Sequence, residues 1–490
     1  MTFWYYIFVY IASMLLTEAL RPRPKKDTTR LVNAGDVNVP QADEGVPVPI
    51  IFGTVQTEGL NVVDAWGLRI RREMERVNSG LFSHTTVFKY DEFSLSADVA
   101  ICSGWTDYDV QGGSEILGMY LGDVSIFPPS KVISTDNHGK HWYIDKLSLW
   151  GDETSGGLRG GMKLFYGKTS QPVDTALQAV RGLQSACRGV CRMVFGYPTQ
   201  VLIPYQPVGD ETPPPPQYRT DNTFVWGHSE SIENPMFRIK RTPKPWSDVA
   251  GQYWNIDGGA NPAVALYLLY SLYSAEPFED SEIDVASFKA CASVLATEKL
   301  GISMRIDSQR GLDEVRSEIE QLIDCRVEVN EETGLLTMRL IRATDAVALD
   351  IAPEDIVEVS SFGRPALTEI VNRVKISYTY INTAPTAPLT FATKTVVASS
   401  VATAVERTSD ISAPALGTKQ AAQLVASRML KAQSNPMPRM SCVVQKPEAQ
   451  HLRVGDRVRV ATRPIVDADE IVYRRSEERR VGKECLRLCR

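Results

Sequence analysis

The stretch that decides the fold class is Asp284-Val-Ala-Ser-Phe-Lys-Ala-Cys-Ala-Ser-Val-Leu-Ala-Thr-Glu-Lys-Leu-Gly301, followed by Leu312-Asp-Glu-Val-Arg-Ser-Glu-Ile-Glu-Gln-Leu-Ile323 and then Cys325-Arg-Val-Glu-Val329 and Leu336-Thr-Met-Arg-Leu340. Val285, Phe288, Cys291, Ala292, Leu295 and Ala296 share one helical face behind an Asp284 cap, and Gly301 offers a stop. Leu312, Val315, Ile319, Leu322 and Ile323 stripe a second helix. The period then changes from 3.6 to 2. Cys325, Val327 and Val329 alternate with Arg326 and Glu328, Glu332-Thr-Gly334 turns the chain, and Leu336, Met338 and Leu340 bring it back. Asn261 and Pro262 start a further helix upstream, and Ile302–Ile306 reads as a short strand. The result is a helix–strand–helix–hairpin module, spanning residues 256–345 with its upstream helix.

Outward from this module the text is β-rich. Residues 27–45 are polar and read as a linker. Pro47 and Pro49 mark Val48–Val55 as an edge strand or extended arm. From Thr85 to Ile126 the chain alternates as a β-meander with hairpins, and the glycines of residues 140–170 read as turns and bulges. Pro213–Pro216 form a polyproline connector. Met236–Arg241 is a strand with a cationic face. Val371–Tyr380 alternates strictly, residues 383–416 are weakly patterned, Gly417–Asn435 is helical, and Leu452–Val460 is a turn and a strand. The expected class is α+β, β-rich and multi-modular. Its boundaries are 1–26, an apolar helix with a basic Pro-rich end; 27–255, β-rich; 256–345, the α+β module; 346–474, β-rich with one helix; and 475–490.

The two ends read differently from the body. Arg475-Ser-Glu-Glu-Arg-Arg-Val-Gly-Lys-Glu-Cys485 is similar to the in-frame translation of a common sequencing adapter. Residues 475–490 are therefore expected to be non-native, and the natural chain is expected to continue past Arg474. Without them, 47 Lys and Arg face 56 Asp and Glu, a net charge of −9 against −6 for the whole chain. At the other end, Phe3–Leu16 is uncharged and aromatic-rich, yet shorter than the roughly 20 residues that span a bilayer. Packing inside an assembly, contact with a membrane and a signal peptide all remain open for it. A mildly acidic chain lacks the clustered cations of a general nucleic-acid binder. The eight cysteines of the 490 residues are scattered and do not read as a secreted disulfide scaffold.

Searching for chemistry yields no catalytic, cofactor-binding or metal-binding residues to nominate. His138 and His141 could present two imidazoles, but exposed histidines at a hairpin turn explain them better. Cys187 and Cys191, read as one helical turn apart, do not close a zinc site. Gly156-Gly-Leu-Arg-Gly-Gly161 lacks the strand–GxGxxG–helix context of a dinucleotide site and reads as turn glycines.

Several segments in order resemble one family, the tail-tip (central hub, or tip-attachment) proteins of long-tailed bacteriophages, prophages and gene transfer agents. They are Val39–Thr54, Asn234–Arg241, Ala260–Tyr267, Phe288–Ala292, Glu298–Ser303, Glu332–Leu336 with Leu340–Arg342, Asn372–Tyr378 and Leu452–Val458. The Met162-Lys-Leu after Gly161 departs from the family's more Gly-rich turn, and the host-contacting C-terminal part is missing. The resemblance implies a multi-module tail-hub architecture that assembles as a homotrimeric ring at the virion tail tip. Its implied partners are tape-measure, distal tail and tail-tip proteins, and it implies a role in host attachment and DNA delivery without catalysis, in a protein made in the bacterial cytoplasm. A tail-associated cell-wall or glycan hydrolase is the alternative, and it would need paired carboxylates or a metal cluster.

Overall fold

The computed structural model describes residues 47–57, 61–80, 83–111, 113–122, 124–126, 129–151, 156–202, 218–228, 235–249, 253–307, 311–363, 370–381, 391–399, 406–434, 438–460, 471–481 and 483–489. The expected N-terminal helix, the linker and the four-proline connector lie outside them. The chain divides into two compact units of interleaved segments, one containing Gln56–Asp107 and Ile116–Ile239, the other Ile51–Val55, Tyr108–Glu115 and Lys240–Arg490. The β-rich class is as expected.

The first unit is built on one sheet. Ser83–Ser103 pairs with Val190–Phe195, which pairs with Leu158–Phe165, then Gly139–Lys146, then Lys131–Asp136 at the end. Phe224–Gly227 bonds both to Ser83–Ser103 and to Leu158–Phe165, so the sheet closes on itself there. Phe195, Phe224 and Trp226 pack inside, their ring centroids 4.8–5.0 Å apart. The Trp226 indole donates to the Leu95 carbonyl at 2.8 Å, which satisfies its buried N–H. Asn61–Gly80 pairs along its length with Ser83–Ser103 and with no other described strand. The sequence reading did not place this 20-residue strand.

Gly160 and Gly161 are strand residues, not turns. A Cβ on Gly161 would sit 2.0 Å from the Thr199 hydroxyl, and Gly160 has φ +148°, so close backbone approach is what requires glycine here. Gly156 has φ +82°, a left-handed conformation that glycine adopts at no steric cost.

In the second unit the sequence module is present nearly as read. Pro262–Ser271 is capped by Asn261, and Val285–Glu298 is capped by Asp284. Leu312–Ile323 and the Cys325–Val329/Leu336–Leu340 hairpin follow. The helix from Val285 ends at Lys299, which adopts the left-handed conformation, and not at Gly301; Gly301 instead packs where a Cβ would meet Ile256. Phe288, Leu295, Leu268, Ile319 and Met338 are buried in this module. Further along, Phe391–Ser399, Arg373–Ile381 and Thr408–Ser412 form a three-stranded sheet, giving the weakly patterned stretch more strand than expected. Helix Lys419–Gln433 follows, starting at the Thr418 cap.

The last sheet runs in the order Val347–Ile351, Arg457–Val460, Ile471–Val481, Lys483–Cys489, Arg439–Val444, Ile356–Gly363. The backbone of the adapter-like segment thus takes strand geometry, because any segment beside an open ladder can pair its N–H and C=O groups there, whatever its side chains or origin.

Val48–Val55 is not an edge. Residues Ile51–Val55 of the strand Ile50–Thr57 run beside Met304–Ile306 in the second unit. At the strand's end, in the first unit, the Phe237 amide donates to the Thr57 hydroxyl and that hydroxyl donates to the Phe237 carbonyl, each at 3.2 Å. The prolines stand before the ladder begins, so they cost it no donor.

Candidate functional site

The second unit holds an open groove of about 890 Å³. Five elements wall it: the C-terminal end of Val285–Glu298, helix Leu312–Ile323 with its Asp324 cap, the start of strand Cys325–Val329, the segment Ile341–Thr344, and helix Lys419–Gln433. Amphipathic spacing sets these walls, since each helix buries one stripe and turns its other side outward. Val294, Ile341 and Leu424 supply apolar lining, and Arg326, Arg428 and Lys431 supply cations.

Glu298 is the centre of the charge arrangement. Arg342 Nε donates to Glu298 Oε1 at 2.7 Å and Arg342 Nη2 to Oε2 at 2.9 Å, a two-pronged pair. Arg428 Nη2 donates to Oε1 at 2.6 Å from the opposite wall. Burial works to raise the Glu298 pKa, but the two guanidiniums outweigh it and hold the carboxyl below its ordinary value. Arg342 Nη1 reaches the carbonyls of Ile323, Asp324 and Ile341 at 2.9, 3.1 and 3.0 Å. It thereby serves the unsatisfied carbonyl end of helix Leu312–Ile323, where a cation also complements the dipole. On the same groove, burial raises the Glu320 carboxyl and pushes the Cys325 thiol up.

A carboxylate locked between two guanidiniums is a weak proton acceptor and an effective staple. The geometry suits holding helix Lys419–Gln433 against the α+β module more than it suits turnover. Sequence reasoning missed this staple. Glu298 and Arg342 fall inside segments quoted for the family resemblance, but nothing in their spacing of 44 residues, or in the 130 residues from Glu298 to Arg428, signals contact.

The first unit carries a second polar cluster, on one sheet face under helix Thr175–Arg181. Lys163 Nζ donates to Asp174 Oδ2 at 2.7 Å, and the Tyr197 hydroxyl lies 2.9 Å from the same oxygen. The Asp174 Oδ1 also caps the helix through Leu177 N at 2.9 Å. Asp98 and Arg192 pair in the interior. Burial pushes the Asp98 pKa up to about 6 in spite of Arg192.

His138 does lie at a hairpin turn, but His141 is not exposed: it is 8% accessible and its Nε2 sits 2.8 Å from the Thr199 hydroxyl. Burial, with the Lys163 charge, lowers it to about 4. His141 faces inward because strand alternation puts it opposite Lys163 on the covered face. Cys187 and Cys191 share no helix; Cys187 is in a turn with φ 46° and Cys191 lies on the strand Val190–Phe195, opposite Cys102. Arg238 of the expected cationic strand face is largely buried, its guanidinium 4.5 Å from the Tyr120 ring centroid. No group of three or more metal-ligating side chains is present among the described residues. No helix among them is long and apolar enough to cross a membrane.

Residues 314–474 match the model of a family described as putative phage tail protein. That stretch takes in most of the groove, and the resemblance to phage tail proteins read from the sequence stands on this match. No curated protein matches the chain. Among solved structures, the chain is similar to one in the virion of a native gene transfer agent particle, at 20% identity over 96% of this chain and 88% of that one, with a TM-score of 0.46. It is also similar to the 43 kDa tail protein of prophage MuSo2 from Shewanella oneidensis, at 10% identity over 86% and 98% of the two chains and a TM-score of 0.26. A tail protein from Neisseria meningitidis MC58 gives 8% identity, 77% and 97% coverage and a TM-score of 0.30.

Proposed function

We propose that this protein is a structural component of a phage-type tail, and that it serves as a hub at the tail tip. The observation that carries the reading is the family match over residues 314–474. In this reading the protein works by assembly. Copies of the chain close as a trimeric ring, bind tape-measure and distal tail proteins, and support host attachment and DNA delivery. The Glu298 staple fits such a role, because a ring subunit needs its parts held at fixed geometry.

Mass measurement on the purified chain lacking residues 1–26, alone and beside its tail partners, tests the ring. A species of three chains supports it. A strictly monomeric species in both settings overturns it, and hydrolysis of peptidoglycan or glycan by the same sample favours the hydrolase instead.

A further inference from the structure

From Arg71, opposite Glu92, to Gly80, opposite Ser83, the strands Asn61–Gly80 and Ser83–Ser103 form a two-stranded ribbon. Neither strand has another described partner along this part; Ser83–Ser103 meets Phe224–Gly227 at Phe93 and Ser94, and Val190–Phe195 only from Ala97 onward. At ~3.4 Å per residue the ribbon is about 30 Å long. Its base is fixed by the Arg72–Asp91 pair at 3.0 Å and by Tyr90 stacked on His228 at 3.6 Å. Two strands alone are marginal in water and leave rows of unpaired N–H and C=O groups. Met74 is nevertheless 48% exposed on it.

Among the described residues the same unit has a second open edge. Lys131–Asp136 ends the sheet with all six residues exposed, Val132 at 58%. A bulge places Ile133 as an extra residue between Val132 and Ser134 in its pairing to the next strand.

We propose that the ribbon of one copy adds as a strand to the Lys131–Asp136 edge of a second copy of this chain. An antiparallel register that skips the bulged Ile133 sets Lys131 opposite Glu75, Val132 opposite Met74 and Asp136 opposite Arg71. Both charged pairs are then of opposite sign and the exposed apolar residues cover each other. The two surfaces are different, so the contact is head-to-tail, the kind that builds a ring when its rotation closes, and not a two-fold dimer. This inference deepens the hub reading and rests on it for the closure of the ring.

Charge reversal in the full chain tests it. Glu75→Lys alone and Lys131→Glu alone should each raise the dissociation constant of the oligomer about tenfold, with unchanged circular dichroism, and the double variant should recover most of the loss. Met74→Cys combined with Val132→Cys should give intermolecular disulfides under mild oxidation by diamide, while Met74→Cys with Val397→Cys should not. An oligomer that ignores both reversals and yields no cross-link overturns the ribbon contact while leaving the ring reading intact. A parent chain that is monomeric beside its tail partners overturns both.

Discussion

Arg241 grips Asp109 with both prongs of its guanidinium, Nε to Oδ1 at 2.7 Å and Nη2 to Oδ2 at 2.9 Å, with side chains 1% and 0% exposed. The same Nη2 reaches the Tyr273 hydroxyl at 2.9 Å. Two charges so placed have left water entirely and are tolerable only as a pair. Asp109→Ala should therefore cost about 3–5 kcal/mol in urea unfolding, since it strands the guanidinium. Replacing both partners, Asp109→Leu with Arg241→Met, should cost less than the single change. A single change costing under about 1 kcal/mol, the worth of an exposed pair, would contradict the burial argument.

The first unit should show opposed pH responses from two buried groups. Asp98 has a folded pKa of about 6, above its ordinary 3.8, so its contribution is full below 3.8 and is lost as pH rises through 6. His141, at about 4 against 6.5, contributes fully above 6.5, and that contribution is lost as pH falls through 4. Asp98→Asn should flatten the decline on the way up from pH 4 to 6, and His141→Gln the decline from 6.5 down to 4. Thermal midpoints across this range check both. Parallel curves for parent and variants would show that neither group titrates with folding.

The Glu298 staple should be visible in hydrogen exchange. Glu298→Gln keeps the shape and removes the negative charge that faces both guanidiniums, so the backbone amides of Lys419–Gln433 should exchange faster by the equivalent of about 1–3 kcal/mol. Because the Glu298 pKa is held below its ordinary 4.5, its contribution is present above 4.5 and is lost as pH falls through the lower folded value. Unchanged protection in that helix would mean that Arg428 adds nothing to its docking.

The α+β module was legible because its signals are local. Asn261 and Asp284 cap helices within three residues of themselves, and Cys325, Val327 and Val329 alternate on one strand. What escaped depends on sequence-distant neighbours. The Ile50–Thr57 strand reads as an edge from Pro47 and Pro49, yet Met304–Ile306 takes one of its sides. His141 reads as exposed from its polar hairpin, and only the Thr199 hydroxyl and Tyr197 ring show otherwise. Asn61–Gly80 is rich in Arg and Glu, which hides a strand whose role is not to fill a core. The groove's charge centre joins residues that no period connects.

Residues 475–490 give a further test. Their strands pair with Arg439–Val444 and within their own hairpin, as backbone. If the segment is non-native, a chain ending at Arg474 should keep the thermal midpoint of the full chain to within about 2 °C, since a charged hairpin adds little beyond its own marginal stability. A drop of several degrees would show a packed segment and set aside the adapter reading.

The central claim is a place in a tail, and labelling particles tests it most directly. Gold-conjugated antibody against residues 314–474 should decorate intact particles at the distal end of the tail, with about three copies per particle by quantitative mass spectrometry. Absence of the protein from washed particles, or label confined to the capsid, would contradict the account.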